Sequence, residues 1–114
     1  MDTRELGSNG EARAIGYYED LGFEILETNY RYKRAEIDFI ALSENEQLLI
    51  FVEVKNRSRR DFGEAETFVS EAQQDRIREA AEDYIYGINW QKDVRFDIVS
   101  VDSGQQVEVF EDAF

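Results

Sequence analysis

The stretch LLIFVEVK at positions 48–55 is the most informative part of the sequence about the fold, because it changes from apolar to charged within the length of one strand. Its first five residues form an apolar run that is typical of a buried strand. Side chains alternate along a strand, so Glu53 and Lys55 share a face with Leu49 and Phe51. The stretch therefore predicts a central strand whose carboxyl end carries two charged side chains on one face.

The preceding stretch, AEIDFIAL at positions 35–42, predicts the neighbouring strand. Between the two lies the polar sequence SENEQ, which is typical of a hairpin loop. Alternation places Glu36 and Asp38 on the same face as Ile40 and Leu42. A four-residue loop at 44–47 predicts a register that pairs 43 with 48, 42 with 49, 40 with 51, 38 with 53 and 36 with 55. Because directly opposite residues have Cβ atoms ~4.5–5.5 Å apart, two carboxyl groups are expected to meet at the far end of the hairpin.

The remaining hydrophobic pattern predicts two helices and further strands. The predicted helices cover 9–21 and 71–86, and the other strands cover 23–31, 94–101 and 106–110. The order αβββαββ predicts an α/β fold with a central mixed sheet of four to five strands, flanked by the two helices. The connection between the third and fourth strands is long enough for a parallel crossover. At 114 residues the chain is expected to form a single domain over 1–114.

The composition excludes several classes of chemistry. The chain contains no histidine and no cysteine, which excludes a Ser-His triad, a cysteine nucleophile and a zinc site with His or Cys ligands. An enzyme built from this sequence must use carboxylates, Lys, Arg, Tyr, hydroxyls and a hard cation such as Mg²⁺. There is no apolar run long enough to span a membrane, and no signal-peptide pattern precedes the first helix. A cytoplasmic location is therefore the expectation.

The charge balance is unusual for a protein that binds a polyanion. The chain has 26 acidic and 13 basic residues, for a formal net charge of −13. Such a surface repels a phosphate backbone, for which affinity normally rests on positive charge. It favours a protein partner with a basic face, and an acidic surface of this kind is also typical of adaptation to high salt.

The hairpin carries the strongest functional hypothesis. Two opposed carboxylates repel each other, and a divalent cation between Asp38 and Glu53 would remove that repulsion. The carbonyl of Val54 and water would complete its coordination. Lys55, two residues along on the same face, would position or activate a bound water or offset the charge of a phosphate. The alternative is that Glu53 and Lys55 form a simple ion pair.

Other candidate residues each have a structural alternative. Glu11 lies on the face of the first helix that is directed towards the sheet and could be a third acidic ligand, but it also fits a capping box with Ser8. Gln73 is directed towards the sheet as well, but it fits a capping box with Ser70, which is the preferred interpretation. Three arginines follow the acidic site closely. They suit backbone phosphates or form a solvated loop, and they are Arg57, Arg59 and Arg60.

Five short motifs along the chain resemble those of one known family. They are Gly10-Glu11, Asn29-Tyr30-Arg31, AEIDFI at 35–40, FVEVKNR at 51–57 and Arg95-Phe96-Asp97. Their joint order and spacing resemble the YraN-like family of small bacterial proteins, which is related to archaeal Holliday junction resolvases within the PD-(D/E)xK nuclease superfamily. The resemblance implies a restriction-endonuclease-like fold and cleavage of phosphodiester bonds that depends on Mg²⁺ or Mn²⁺.

The resemblance also implies roles for individual residues. Asp38 and Glu53 would bind the metal, Lys55 would assist the attacking water, and Glu11 would be the acid that resolvase-like members place on the first helix. The chain departs from the family pattern at three positions. Ala35 replaces a usual glycine, Ile37 stands where the superfamily has proline, and Gln73 stands where relatives tend to carry lysine.

Two main functions follow as expectations. The first is a metal-dependent endonuclease acting on DNA, including branched or damaged DNA. The second is a non-catalytic module that binds nucleic acid or a protein partner and retains the nuclease fold. A Mg²⁺-dependent phosphatase for small substrates ranks last, because no glycine-rich phosphate loop is visible. Since related resolvases act as dimers, a homodimer is a further expectation.

Overall fold

A computed structural model describes residues 9–57 and 69–114 of the protein. These residues form a five-stranded sheet with one helix on each face. The elements are α1 (Asn9–Asp20), β1 (Glu24–Tyr32), β2 (Ala35–Ser43), β3 (Leu48–Arg57), α2 (Glu71–Ile88), β4 (Asp93–Asp102) and β5 (Val107–Phe110). The predicted order αβββαββ and the mixed α/β architecture are confirmed. Within the described residues, no helix is both long and apolar enough to cross a membrane.

The sheet has the strand order β1-β2-β3-β4-β5. Neighbouring strands are antiparallel except for β3 and β4, which are parallel. The predicted crossover between the third and fourth strands is therefore confirmed, and β3 is the central strand. The apolar half of β3 is fully buried, as its composition predicts: Leu49 and Ile50 are both 0% exposed.

Each face of the sheet packs against one helix. The face beneath α2 includes Leu49 and Phe51 of β3, whereas the face beneath α1 includes Ile50 and Val52. The α2 residues in contact are Ile77, Ala80, Ala81 and Tyr84, and those of α1 are Ala14 and Tyr18. The predicted alternation along β3 is confirmed, and it places Glu53 and Lys55 on the α2 side.

Strand β2 does not keep its alternation. Ala35 and Ile37 pack beneath α2, Phe39 packs beneath α1, and Ile40 packs beneath α2 again. The facing of the side chains therefore shifts by one residue at Asp38. Such a shift moves every preceding side chain to the opposite face.

The neighbouring strand is irregular at the same level. Asn29 of β1, which lies opposite Asp38, has a φ of 53°, in the left-handed region that Asn tolerates better than most residues. The prediction that Glu36 shares a face with Ile40 is therefore wrong. Glu36 instead forms an ion pair with Arg31 of β1 at 3.1 Å.

The predicted hairpin register is correct near the turn. Ser43 pairs with Leu48, and the ladder continues through 42–49 and 40–51 to 39–52. The expected continuation to 38–53 and 36–55 is wrong, because the paired register between β2 and β3 ends at 39–52 among the described residues. Beyond that point the side chain of Asp38 joins the two strands.

Candidate active site

An open cavity of about 460 Å³ lies where β2 and β3 separate, beside the beginning of α2. Its acidic side chains come from both strands, and its basic side chains come from β3, α2 and the turn before β2. The lining includes Arg34, Glu36, Asp38, Glu53, Val54, Lys55, Gln73 and Arg76. The structure therefore brings together the three residues Asp38, Glu53 and Lys55 that the sequence predicts as a site.

Asp38 is held by the backbone of the neighbouring strand. Its Oδ2 atom accepts a hydrogen bond from the backbone N–H of Val54 at 2.6 Å. This bond takes the place of a ladder hydrogen bond, which explains why the regular pairing stops at this level. The carboxyl group is thus oriented by the sheet itself.

Glu53 is buried, with 7% of its surface exposed. Its Oε2 atom accepts a hydrogen bond from Nε2 of Gln73 at 2.6 Å. Burial raises the pKa of Glu53 to about 9, helped by a hydrogen bond to Asp38 and by the negative charge of Asp38, while the positive charge of Lys55 opposes the rise. The raised pKa indicates that Glu53 keeps its proton at neutral pH, and the hydrogen bond between the two carboxyl groups places that proton between them.

The contact between Asp38 and Glu53 is the point where the two predicted acidic ligands come together. Two carboxyl groups that hydrogen-bond to each other direct oxygen atoms at a common point, and oxygen donors suit Mg²⁺ or Mn²⁺. Within residues 9–57 and 69–114, no group of three or more acidic residues converges closely enough to hold a metal ion. Asp38 and Glu53 are therefore the only two of the predicted acidic ligands that the described residues bring into contact.

Glu11 approaches the site from the opposite side of the sheet. Partial burial raises its pKa, the negative charges of Asp38 and Glu36 raise it further, and a hydrogen bond with Asn29 lowers it. The helix-borne acid is thus within electrostatic range of Asp38, as its place on α1 predicts. The alternative capping partner, Ser8, lies outside the described residues.

Gly10 fixes where α1 begins relative to this site. A Cβ atom on Gly10 would overlap the side-chain oxygen of Asn56, the residue that follows Lys55 in β3. Only glycine allows this close approach without displacing Asn56. The contact brings the first turn of α1 against the carboxyl end of β3, which places Glu11 near the acidic pair.

Lys55 is half-buried and lines the cavity. Its charge lowers the pKa of Glu53. Within the described part of the chain, however, Glu53 and Lys55 form no direct ion pair. The simple ion-pair interpretation is thus not what the side chains form. Lys55 keeps its amino group available to the cavity.

Gln73 has two roles that the sequence treated as alternatives. Its backbone N–H donates to Oγ of Ser70 at 3.1 Å, which caps α2 as predicted. Its side chain, however, does not complete a capping box, because it donates to Glu53 instead. The preferred cap is therefore confirmed for the Ser70 hydroxyl and the N–H of Gln73, but not for the Gln73 side chain.

The predicted arginine cluster falls largely beyond what the structure describes. Arg57 is the last residue of β3, and its side chain lies outside the described residues, as do Arg59 and Arg60. Two other arginines, which the sequence did not single out, line the cavity: Arg34 in the β1–β2 turn and Arg76 in α2. The spacing of Gln73 and Arg76 on one helix is the signal that could have identified Arg76.

A second polar network, centred on Asp97 of β4, lies beneath α1. Asp97 is 0% exposed and accepts a hydrogen bond from the Tyr18 hydroxyl at 2.6 Å. The guanidinium of Arg95 donates to both of its carboxylate oxygens, at 2.8 and 2.9 Å, and the backbone N–H of Asp112 donates at 3.0 Å. The buried charge is fully satisfied, so this network joins α1, β4 and the C-terminal segment rather than forming an open site.

Comparison with known proteins identifies the family. The model of the "uncharacterised protein family UPF0102" matches residues 10–101. A UPF0102 protein of Cytophaga hutchinsonii is 38% identical over 109 residues, covering 96% of this chain and 94% of the relative. A UPF0102 protein of Flavobacterium psychrophilum is 39% identical, covering 99% and 96%, and one of a Sulfurihydrogenibium species is 39% identical, covering 100% and 97%. The chain belongs to the UPF0102 family, the YraN-like family that its motifs resemble.

Proposed function

We propose that this protein hydrolyses phosphodiester bonds in DNA with the help of Mg²⁺ or Mn²⁺. The observation that carries the proposal is the carboxyl pair of Asp38 and Glu53, which comes together beside Lys55 in an open cavity. Opposed carboxyl groups reduce stability unless a ligand binds them, so a folding role alone does not explain the arrangement.

The carboxyl pair would hold the cation, with the carbonyl of Val54 and water as further ligands. When bound, Mg²⁺ would polarise a phosphoryl oxygen and lower the pKa of a coordinated water. The N–H of Val54 orients Asp38, and the amide of Gln73 orients Glu53. Each carboxyl group thus has one oxygen held by a hydrogen bond from the protein, and this restricts its orientation.

Lys55 would act on the substrate or on the attacking water. Its ammonium group carries three donors and a positive charge, and it lines the same cavity as the carboxyl pair. From there it can orient the water or stabilise the negative charge that develops on the phosphate. Glu11, approaching from α1, would adjust the electrostatic field at Asp38.

A non-catalytic module remains the second candidate, and the net charge of −13 is the observation that favours it. A protein partner with a basic face would match this surface. In that case the carboxyl pair would be retained without metal-dependent turnover. Its signature would be complex formation that survives chelation and the loss of Asp38.

Calorimetric titration of Mg²⁺ and Mn²⁺ distinguishes these functions. We expect the wild type to bind the cation and Asp38→Asn to lose binding, while the control Asp20→Asn, an exposed carboxyl at the end of α1, binds normally. The same three proteins would then be incubated with linear and branched DNA. Absence of metal binding and of cleavage in the wild type would reject the nuclease proposal.

A further inference from the structure

Within residues 9–57 and 69–114, two arginines beside the acidic pair have no carboxylate partner. Four other basic residues form ion pairs with acids: Arg31, Lys33, Arg78 and Arg95. The side chains of Arg34 and Arg76, by contrast, form no ion pair or hydrogen bond with another described residue, and both are exposed. Two such guanidinium groups beside one acidic cavity are placed to bind an anionic ligand.

The position of these arginines suggests one. Arg34, Ala35 and Arg76 line the acidic cavity and also line an adjoining cavity of about 260 Å³ that contains Tyr32 and Lys33. The two cavities share these three lining residues, so they lie side by side on the surface, and together we call them the groove. It runs from the carboxyl pair, past the two guanidinium groups, to the β1–β2 turn.

We propose that Arg34 and Arg76 form a phosphate clamp, which holds a polynucleotide strand along this groove next to the carboxyl pair. A guanidinium group presents paired N–H donors that match a phosphate group. A substrate with a single phosphate would need only the first cavity, whereas a strand would place a neighbouring phosphate on the arginines. The inference rests on the proposed function, because it assigns the second cavity to the continuation of the same substrate.

The clamp also explains how a strongly acidic protein could bind a polyanion. A surface with net charge −13 repels a polyanion at long range, so binding requires a local concentration of unpaired positive charge. Arg34, Arg76 and Lys55 supply it on the walls of one groove, where they offset the acidic side chains of Glu36, Asp38 and Glu53. The acidic remainder of the surface would then disfavour nucleic acid elsewhere, which confines the strand to this groove.

Folding does not require either arginine. Arg34 lies in a turn and Arg76 on the exposed side of α2, whose buried contacts come from other residues. The double variant Arg34→Ala/Arg76→Ala should therefore keep the fold, which circular dichroism would verify. The matched control is Arg13→Ala/Lys92→Ala, which makes the same change in net charge away from the groove.

Fluorescence anisotropy with a short labelled DNA duplex tests the clamp. Binding would be measured over a salt series in the presence of chelator and again with Ca²⁺. We expect the clamp variant to bind at least about tenfold more weakly than the wild type, and its log–log salt slope to fall by about 2 because two phosphate contacts are lost. Equal losses in the clamp and control variants would overturn the proposal, as would a wild type that binds the duplex no better than a mononucleotide.

A gain-of-affinity variant provides a second test. Lys33 is neutralised by Glu79 at 3.0 Å, at the far end of the groove. Glu79→Gln would free its ammonium group for the strand. Tighter DNA binding with a steeper salt slope would support the groove, whereas unchanged binding would overturn its continuation to Lys33.

The clamp and the nuclease can fail separately. Asp38→Asn should lose metal binding and cleavage but retain DNA binding through the arginines. Binding that depends on Arg34 and Arg76, without any metal binding or cleavage in the wild type, would support the clamp and reject the nuclease. Cleavage that is unaffected in the clamp variant would support the nuclease and reject the clamp.

Discussion

Replacing Glu53 by glutamine should stabilise the protein at neutral pH. A carboxyl group whose pKa is raised on folding keeps its proton in the folded state but loses it on unfolding. Glu53 rises from 4.5 to about 9, so between these values unfolding releases a proton and stability falls as pH rises. Stability from this group is complete below pH 4.5 and decreases until about pH 9.

The magnitude follows from the width of that interval. Each pH unit changes the free energy of unfolding by about 1.4 kcal/mol. From pH 4.5 to pH 7 the interval is about 2.5 units, so the cost at neutral pH is on the order of 3 kcal/mol. Glutamine carries no charge, and it can accept from Gln73 and donate to Asp38 in the same geometry. Glu53→Gln should therefore recover this free energy.

Urea unfolding of the metal-free protein between pH 5 and pH 8 would measure the effect. We expect the difference between Glu53→Gln and wild type to be small at pH 5 and to grow towards pH 8. Glu46→Gln, at an exposed carboxyl in the β2–β3 turn, serves as the control and should show no such trend. A variant that is destabilised at pH 8, or a difference that does not change with pH, would refute the shared-proton interpretation.

Three other predictions concern separate parts of the structure. Metal binding should release close to one proton at pH 7, because the cation would displace the proton held by Glu53. Calorimetric titrations in buffers of different ionisation enthalpy would detect this proton, and a binding enthalpy that does not depend on the buffer would contradict the prediction. Tyr18→Phe removes a donor from buried Asp97 and should cost about 1–3 kcal/mol in urea unfolding, whereas the exposed Tyr17→Phe should cost little. Asn29→Ala should destabilise by about 1 kcal/mol because φ is positive there, and an equal loss in Asn29→Gly would disprove that strain is the cause.

Local patterns were sufficient to predict the elements and their order. The apolar run of β3 identified the central strand, the polar loop at 44–47 fixed the register near the turn, and Ser70 marked the start of α2. Each of these signals lies within a few residues of the feature it predicts. The site followed because Asp38, Glu53 and Lys55 lie in the two strands that the loop joins.

Features that depend on contacts across the fold could not be predicted in this way. The change of facing at Asp38 lies opposite the positive φ of Asn29, in a different strand. The bond between Gln73 and Glu53 joins residues 20 positions apart, and simple alternation gives no sign of it. Arg34 reaches the site because of a turn geometry that its own sequence does not specify.

The interruption of β2 at Asp38 makes the site accessible from both layers of the protein. In an unbroken sheet, a side chain on one face is screened from the helix on the other. Here the strands separate at the carboxyl pair, so α1 contributes Glu11 from one side while α2 contributes Gln73 from the other. The carboxyl pair is thus influenced from both layers of the protein, because α1 acts on Asp38 through charge and α2 acts on Glu53 through a hydrogen bond.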